Sequence, residues 1–396
     1  MRVAQQKGVV LLAGLALAAG AVWLGLAHGW RQGAALLLGA GLGMSLYHAA
    51  FGFTAGFRRL LAERRANGLR AQMLMLMAAC LLILPALDVG ALGGQPVRGF
   101  VFPVGLPLLV GAFLFGIGMQ LGGGCASGTL YAAGGGSLRM LVTLFFFVAG
   151  ATLAAWQSEL WAGWASLPPV SLPGLLGTPA ALALSLAGLA TIWAASAALE
   201  RRRHGEAERL RWWPGDPLRG PWPLAWGALA LALLNFATLW LAGRPWAITA
   251  AFPLWGSKVV EALGWDDPAF WAYWEDPTRT EALLRPVTAD RTSVMDLGLM
   301  LGALLAAALA GAAARQGWRL RGPEVAGSVL GGLLLGIGAT MAFGCNISAY
   351  VSGIASGSLH GWVWIVPGLL GNWIGLRLRP ALGLAPRPPG VAAAAL

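Results

Sequence analysis

Two of the three cysteines in the chain hold matched places. Gly116-Ile117-Gly118-Met119-Gln120-Leu121-Gly122-Gly123-Gly124-Cys125-Ala126-Ser127 has a counterpart in Gly336-Ile337-Gly338-Ala339-Thr340-Met341-Ala342-Phe343-Gly344-Cys345-Asn346-Ile347-Ser348. In each, a Gly-x-Gly pair closes an apolar run, and a cysteine preceded by glycine follows nine positions after the first Gly. Glycine gives up much backbone freedom in a helix and offers no side chain to pack, so a helix is expected to break at each motif. In hydrocarbon such a break is tolerated only where it is buried in protein or lines a cavity. A broken helix end exposes N–H groups and a partial positive charge, which favour a small anion. A thiol beside it is a weak S–H donor and a soft partner for sulfur. Contacts of that strength suit passage better than capture, and conduction needs sites weak enough to leave. The candidate path residues are therefore Cys125 and Cys345, the backbone of Gly124 and Gly344, and the polar side chains of Asn346, Ser127, Thr129 and Ser348. Met119 and Gln120 read as packing residues.

An anion path needs uncharged thiols, because a thiolate would repel the cargo; an ordinary cysteine pKa near ~8.5 is compatible with that. The alternative chemistry is a membrane sulfurtransferase, in which a cysteine takes up sulfur as a persulfide and hands it to a cytoplasmic carrier protein. That reaction needs a thiolate activated by a neighbouring cation or base, and neither motif has His, Lys or Arg within four residues. A third reading has the cysteines only pack. Cys80 sits between apolar neighbours as a packing residue would and is retained as a third candidate on the path. Met73, Met75 and Met77 alternate and so do not share a helical face. The cysteine spacings form no metal motif and no disulfide framework, and no P-loop lysine motif is present. No cofactor and no metal are expected.

These residues sit in a chain of 396 residues that is 58% hydrophobic and only 11% charged, against roughly 25% charged in a soluble domain. That composition requires a lipid bilayer as solvent, with room for about ten helices of roughly 20 residues. Twenty Trp against four Tyr fit broad membrane interfaces. The formal charge of +11 comes largely from arginines in three short clusters: Arg58 to Arg70, Arg201 to Arg211, and Arg315 to Arg321. That is the pattern of the positive-inside rule, which sets orientation, and it gives no ground for a nucleic-acid partner.

The expected architecture is all-α: one polytopic membrane domain over 1–396, with about ten helices, short re-entrant helices and an inverted internal repeat. Spans are expected over 8–27, 33–57, 71–92, 100–122, 138–163, 178–200, 223–243, 294–314, 324–343 and 359–376. The first is read as a spanning helix rather than a cleaved signal. Residues 33–200 form the first half, 201–222 a cytoplasmic basic linker, 223–376 the second half and 377–396 a flexible tail. His48 falls at a helix end, where it either reaches headgroups or serves the path. The stretch 244–258, broken by Pro245 and Pro253, is expected to dip in without crossing, and Lys258 to snorkel. Residues 261–293, acidic and Trp-rich, read as an outer-face loop. Asp88, Asp296 and Glu324 fall near helix ends and read as interfacial. With the N-terminus and the arginine clusters cytoplasmic, the two Gly-Cys motifs enter from opposite faces, the geometry of transporters built from inverted repeats.

Gly344-Cys345-Asn346-Ile347, followed by Ser352-Gly353-Ile354-Ala355-Ser356-Gly357-Ser358-Leu359-His360-Gly361-Trp362, resembles the YeeE/YedE family of membrane proteins. Gly122 to Thr129 and Ala50 to Arg58 resemble that family's other two signatures, so the likeness runs over nearly the whole chain. The resemblance implies an inner-membrane importer of thiosulfate or a related sulfur anion, hourglass in shape, with cysteines spaced along a central path. By that likeness Cys125 and Cys345 contact the anion. The family's third path cysteine has no placed counterpart: Cys80 lies outside the motifs, and Gly52 stands where relatives may carry the thiol.

Overall fold

The computed structural model of the chain describes residues 5–213, 216–313 and 320–384. Arg315 and Arg319 of the third basic cluster, and residues 385–396 of the expected tail, lie outside the described residues. Helices α1 (Lys7–His28) and α2 (Trp30–His48) lead to the short α3 (Phe53–Arg58), a π-turn (Arg59–Glu63) and α4 (Asn67–Val89). Next come α5 (Leu106–Gly122), α6 (Ala126–Gly134) and α7 (Leu138–Trp156), the short α8 (Glu159–Ala162) and α9 (Leu172–Leu176), and the long α10 (Thr178–His204). Beyond the linker lie α11 (Leu224–Ala242), α12 (Ala251–Ala262), α13 (Pro277–Leu284), α14 (Arg291–Leu309) and α15 (Gly322–Met341). A second π-turn (Asn346–Val351) runs into α16 (Ser352–Ala355), and α17 (Leu359–Ala381) closes the described chain.

Nine helical stretches among the described residues are long and apolar enough to cross a membrane. Among the described residues, strands are limited to two-residue pairs, one of which joins Val104–Gly105 to Ser166–Leu167. The protein is therefore an all-α, multi-pass membrane protein. One large apolar core runs through it and takes in residues from Leu17 of α1 to Trp364 of α17.

Several boundaries differ from expectation, each for a local reason. Residues 33–57 are two helices, because α2 ends at His48 and Ala50 takes a left-handed φ of 45° before Gly52 starts α3. The basic stretch 58–70 is mostly helical: Arg70 belongs to α4, buried against Glu200 of α10 at 2.7 Å, where each charge keeps the other from standing alone in the interior. Helix α17 continues past residue 376 to Ala381, with the Arg377 guanidinium 3.7 Å above the Trp373 ring. Helix α12, with only 12 residues, reaches about 18 Å and cannot cross. Asp296 is not interfacial: it is fully buried, and neither carboxyl oxygen has a hydrogen-bond partner.

The packing pairs come in exchanged sets. Helix α2 packs on α14 as α4 packs on α11; α5 packs on α17 as α7 packs on α15; α6 touches α14 as α16 touches α4; and α3 touches α17 as α12 touches α7. At the centre α5 meets α15 in antiparallel order, Gly111 lying against Gly338 and Ala342 while Gly118 lies against Gly331 and Leu335. The two Gly-Cys helices thus run in opposite directions. Small residues allow this approach, as between helices in lipid: a Cβ on Gly331 would stand 2.1 Å from the Gly122 nitrogen. Gly331→Val should force α5 and α15 apart and cost ~1–3 kcal/mol or more. A lowered midpoint in a thermal-unfolding assay of the detergent-solubilised protein would register it, and an unchanged midpoint would contradict this packing.

Candidate functional site

Each Gly-Cys motif breaks its helix at the cysteine, and each cysteine becomes the N-cap of the helical segment that follows. Gly123 ends α5 with φ +92°, and Cys125 takes an extended conformation before α6. Phe343 and Gly344 end α15 with φ of 58° and 142°, and Cys345 takes the same extended conformation before the π-turn. The first N–H groups of a helix lack internal acceptors. Here sulfur supplies one: the Gly128 N–H donates to Cys125 Sγ at 3.4 Å, and the Ile347 N–H donates to Cys345 Sγ at 3.4 Å. The Cys345 N–H in turn donates to Ser348 Oγ at 3.1 Å, and a Cβ on Gly344 would stand 2.2 Å from that oxygen. A sulfur held through its acceptor side keeps its S–H proton free to donate. A hydroxyl stands beside each sulfur: Ser127 Oγ lies 3.4 Å from Cys125 Sγ, and Ser348 Oγ lies 3.7 Å from Cys345 Sγ.

The segments opened by the two caps lie against each other: helix α6 contacts the π-turn that begins at Asn346. Both thiols are buried, Cys125 to 1% and Cys345 to 0% exposure. Beside them are buried polar atoms with no hydrogen-bond partner: Thr129 Oγ1, and both Oδ1 and Nδ2 of Asn346. Such groups are costly unless something satisfies them, and their gathering at two helix N-termini marks a polar site inside an apolar core.

Cys80, on α4, touches the end of the second broken segment, its Sγ 3.9 Å from the Ile354 carbonyl oxygen of α16. Helix α4 also connects two cavities. One, of about 90 Å³, is lined by Gly52, Gly56, Arg59 and Gln72; the other, of about 360 Å³, by Leu84, Leu87, Asp88 and Ser356. Cys80 lies eight residues from both Gln72 and Asp88, about 12 Å along the helix axis from each. Neither cavity is lined by Cys125 or Cys345, so the thiols are closed off from both.

Other singled-out residues have plainer surroundings. Gln120 Nε2 donates to Asn372 Oδ1 at 2.7 Å and ties α5 to α17, with Met119 Sδ accepting from Asn372 at 3.5 Å. Lys258 pairs with Glu261 at 2.9 Å. His48 is buried between Tyr47 and Trp222, and its carbonyl accepts the Trp222 N–H at 2.7 Å.

Sequence reasoning passed over four neighbours of the site. Thr249, in the break before α12, lies 3.5 Å from Ser348 Oγ. Asn235 of α11 accepts the Trp246 N–H at 2.7 Å and donates to Ser352 Oγ at 3.3 Å, anchoring the second broken segment. Tyr131 and Phe53 flank Cys125. The one available signal was Asn235, a lone amide in an apolar helix.

The family model described as sulphur transport matches residues 48–374. The chain belongs to that family. It is 28% identical over 288 residues to the thiosulfate transporter TsuA of Spirochaeta thermophila, which covers 67% of this chain and 75% of that one. It is 24% identical over 361 residues to the thiosulfate transporter TsuA of Escherichia coli, covering 85% of this chain and 92% of that one. Similarity to the probable transporter YedE of Salmonella typhimurium, 27% over 160 residues, spans only 37% of the length of that protein.

The unpartnered Thr129 hydroxyl gives the site a thermodynamic signature. Thr129→Val keeps the shape and removes a buried polar group that nothing satisfies, so thermal stability should hold or rise by ~1 kcal/mol. A clear fall in the unfolding midpoint would mean that Thr129 is bonded after all.

Proposed function

We propose that this member of the sulphur transport family carries a small sulfur-containing anion, thiosulfate first, across the bacterial cytoplasmic membrane past Cys125 and Cys345. The observation that carries the reading is the packing of two thiol-capped helical segments against each other, in antiparallel surroundings, with Asn346 and Thr129 unpartnered beside the caps. Asn346 Nδ2, the Thr129 hydroxyl and two S–H groups are donors, and an anion is an acceptor. Ser127, Ser348 and the backbone at Gly124 and Gly344 support the two caps. Cys80 is the third thiol of the route, halfway between the cavities. The thiosulfate transporters among the relatives support the cargo.

The exchanged packing pairs support two inverted halves, 33–200 and 223–376, joined by the linker 201–222. The arginine-rich face, with the N-terminus, is read as cytoplasmic, and the cavity at Arg59 then lies on that side. With both cavities closed off from the thiols, the conformation is an occluded one, and transport alternates which cavity reaches them. No enzymatic step is required, because a thiol that donates and lets go forms no bond. The alternative, a sulfurtransferase serving a cytoplasmic carrier, predicts a covalent adduct instead.

Uptake of labelled thiosulfate into proteoliposomes, competed by sulfate, sulfite and selenium oxyanions, tests the proposal. Cys125→Ala and Cys345→Ala should each lower the initial rate by about tenfold or more, equivalent to ~1.4 kcal/mol of lost stabilisation. Cys80→Ala should lower it less. Full uptake in both cap variants would reduce the cysteines to packing. A persulfide on Cys125 or Cys345, found by mass spectrometry after exposure, would install the transferase instead.

A further inference from the structure

The cavity on the arginine-rich side holds a feature that the thiol site does not use. Its lining includes Gly52, Gly56, Gln72 and Arg59, and Arg59 is the one charged side chain in it. At about 90 Å³ it has room for several waters or one small oxyanion. Gln72, also in the lining, is 1% exposed, and its Nε2, the donor an anion needs, stands 2.9 Å from where a Cβ on Gly56 of the same lining would lie. Gly52 and Phe53 separate this cavity from Cys125.

Arg59 is not idle. Its Nη2 meets both carboxylate oxygens of Glu208, at 3.1 and 3.3 Å, and its Nε lies 3.6 Å from Glu63. Neighbouring arginines are held differently. Arg70 is committed to the fully buried Glu200 at 2.7 Å, and Arg65 bridges that carboxylate at 3.5 Å and Glu208 at 3.7 Å, which gives the Glu208 side chain a second cation to rest on when it leaves Arg59. The partners of Arg59 are accessible, Glu208 to 33% and Glu63 to 56%, and Arg59 itself to 39%. Exposed pairs of this kind are weak and exchangeable, whereas a buried pair is costly to break. A guanidinium presents a planar fork that takes a carboxylate or another oxyanion alike. Glu208 is also well placed to let go, because its backbone carbonyl stays anchored by the Arg70 guanidinium at 2.6 Å whatever its side chain does.

We propose that the Arg59 cavity is a second anion site, on the arginine-rich side of the thiols, and that the Glu208 carboxylate is its tethered competitor. The ligand is a small divalent oxyanion of the thiosulfate class, held by the Arg59 fork and the Gln72 amide. Glu208 swings onto Arg59 as the anion departs, which keeps a strongly cationic site from becoming a trap. The inference rests on the transport reading above, and its test separates the two.

Thiosulfate binding to the full chain in detergent, measured by calorimetry at low ionic strength, is the first readout. A Cys125→Ala, Cys345→Ala double variant should retain binding at the Arg59 cavity. Adding Arg59→Gln should abolish that remnant, and adding Arg59→Lys instead should leave part of it, which guards against a folding defect. Glu208→Gln should tighten it by about three- to tenfold, removal of a competing carboxylate worth ~0.7–1.4 kcal/mol, while slowing uptake in proteoliposomes. Remnant binding indifferent to Arg59→Gln, or an affinity unmoved by Glu208→Gln, would overturn the second site while leaving cysteine-dependent uptake intact. If the unsubstituted protein neither binds nor takes up thiosulfate, the transport reading itself falls.

Discussion

A polypeptide that stops being helical inside hydrocarbon must find acceptors for its freed N–H groups, and this protein finds them in sulfur. At Cys125 and at Cys345 the thiol accepts the N–H two or three residues ahead, doing what a serine or aspartate does at a soluble helix start. Sulfur is the weaker acceptor, so the caps hold the broken ends without saturating them. A stronger cap such as aspartate would place a fixed negative charge at each break. Cysteine satisfies backbone in lipid without adding that charge, which on the proposed reading leaves the helix end open to an anion.

The rest of the architecture brings those ends together and keeps lipid away from them. Four helices end in the interior, α2, α5, α11 and α15, and each is followed by a half-length segment. Two of the four breaks carry cysteines. The other two, at Ala49 to Gly52 and at Gly243 to Ala250, supply walls: Gly52 lines the smaller cavity, and Thr249 leans on Ser348. Close glycine contacts between α5 and α15 fix the spacing of the two thiol caps. Outside this ring, α1 and α10 keep much of their surface exposed, as lipid-facing helices would.

How much of this could be read in the chain depends on what kind of signal each feature leaves. The membrane class and nearly all of the long helices follow from apolar run length alone. The Gly-Cys breaks are legible because glycine clusters and a cysteine recur at the same offset, and Asn346 and Thr129 were named on polarity within those motifs. The break at Ala50 left a weaker mark, because a left-handed alanine is set by tertiary packing and not by residue type. Asp296 was placed at an interface because it stands third in the span expected over 294–314, yet α14 begins three residues earlier, at Arg291, and its turns are covered by α2 from distant sequence. The pairing of Arg59 with Glu208 joins residues about 150 apart and has no local pattern at all.

The position of Gly52 shows how a missing side chain can be informative. A Cβ there would find its nearest atoms at 3.6 Å, the Tyr131 hydroxyl, and at 3.7 Å, the Ala55 methyl, which are ordinary contact distances. Its φ of −112° is open to any residue. Neither sterics nor backbone therefore requires glycine, and a thiol would fit facing Tyr131. What glycine leaves instead is space, and that space belongs to the cavity that reaches Arg59. A sulfhydryl at this point would give the anion a further weak donor; its absence leaves the guanidinium as the strongest attraction on that side. On the proposed reading, charge at Arg59 takes the place of a soft contact at this point, and the carboxylates of Glu208 and Glu63 temper its hold.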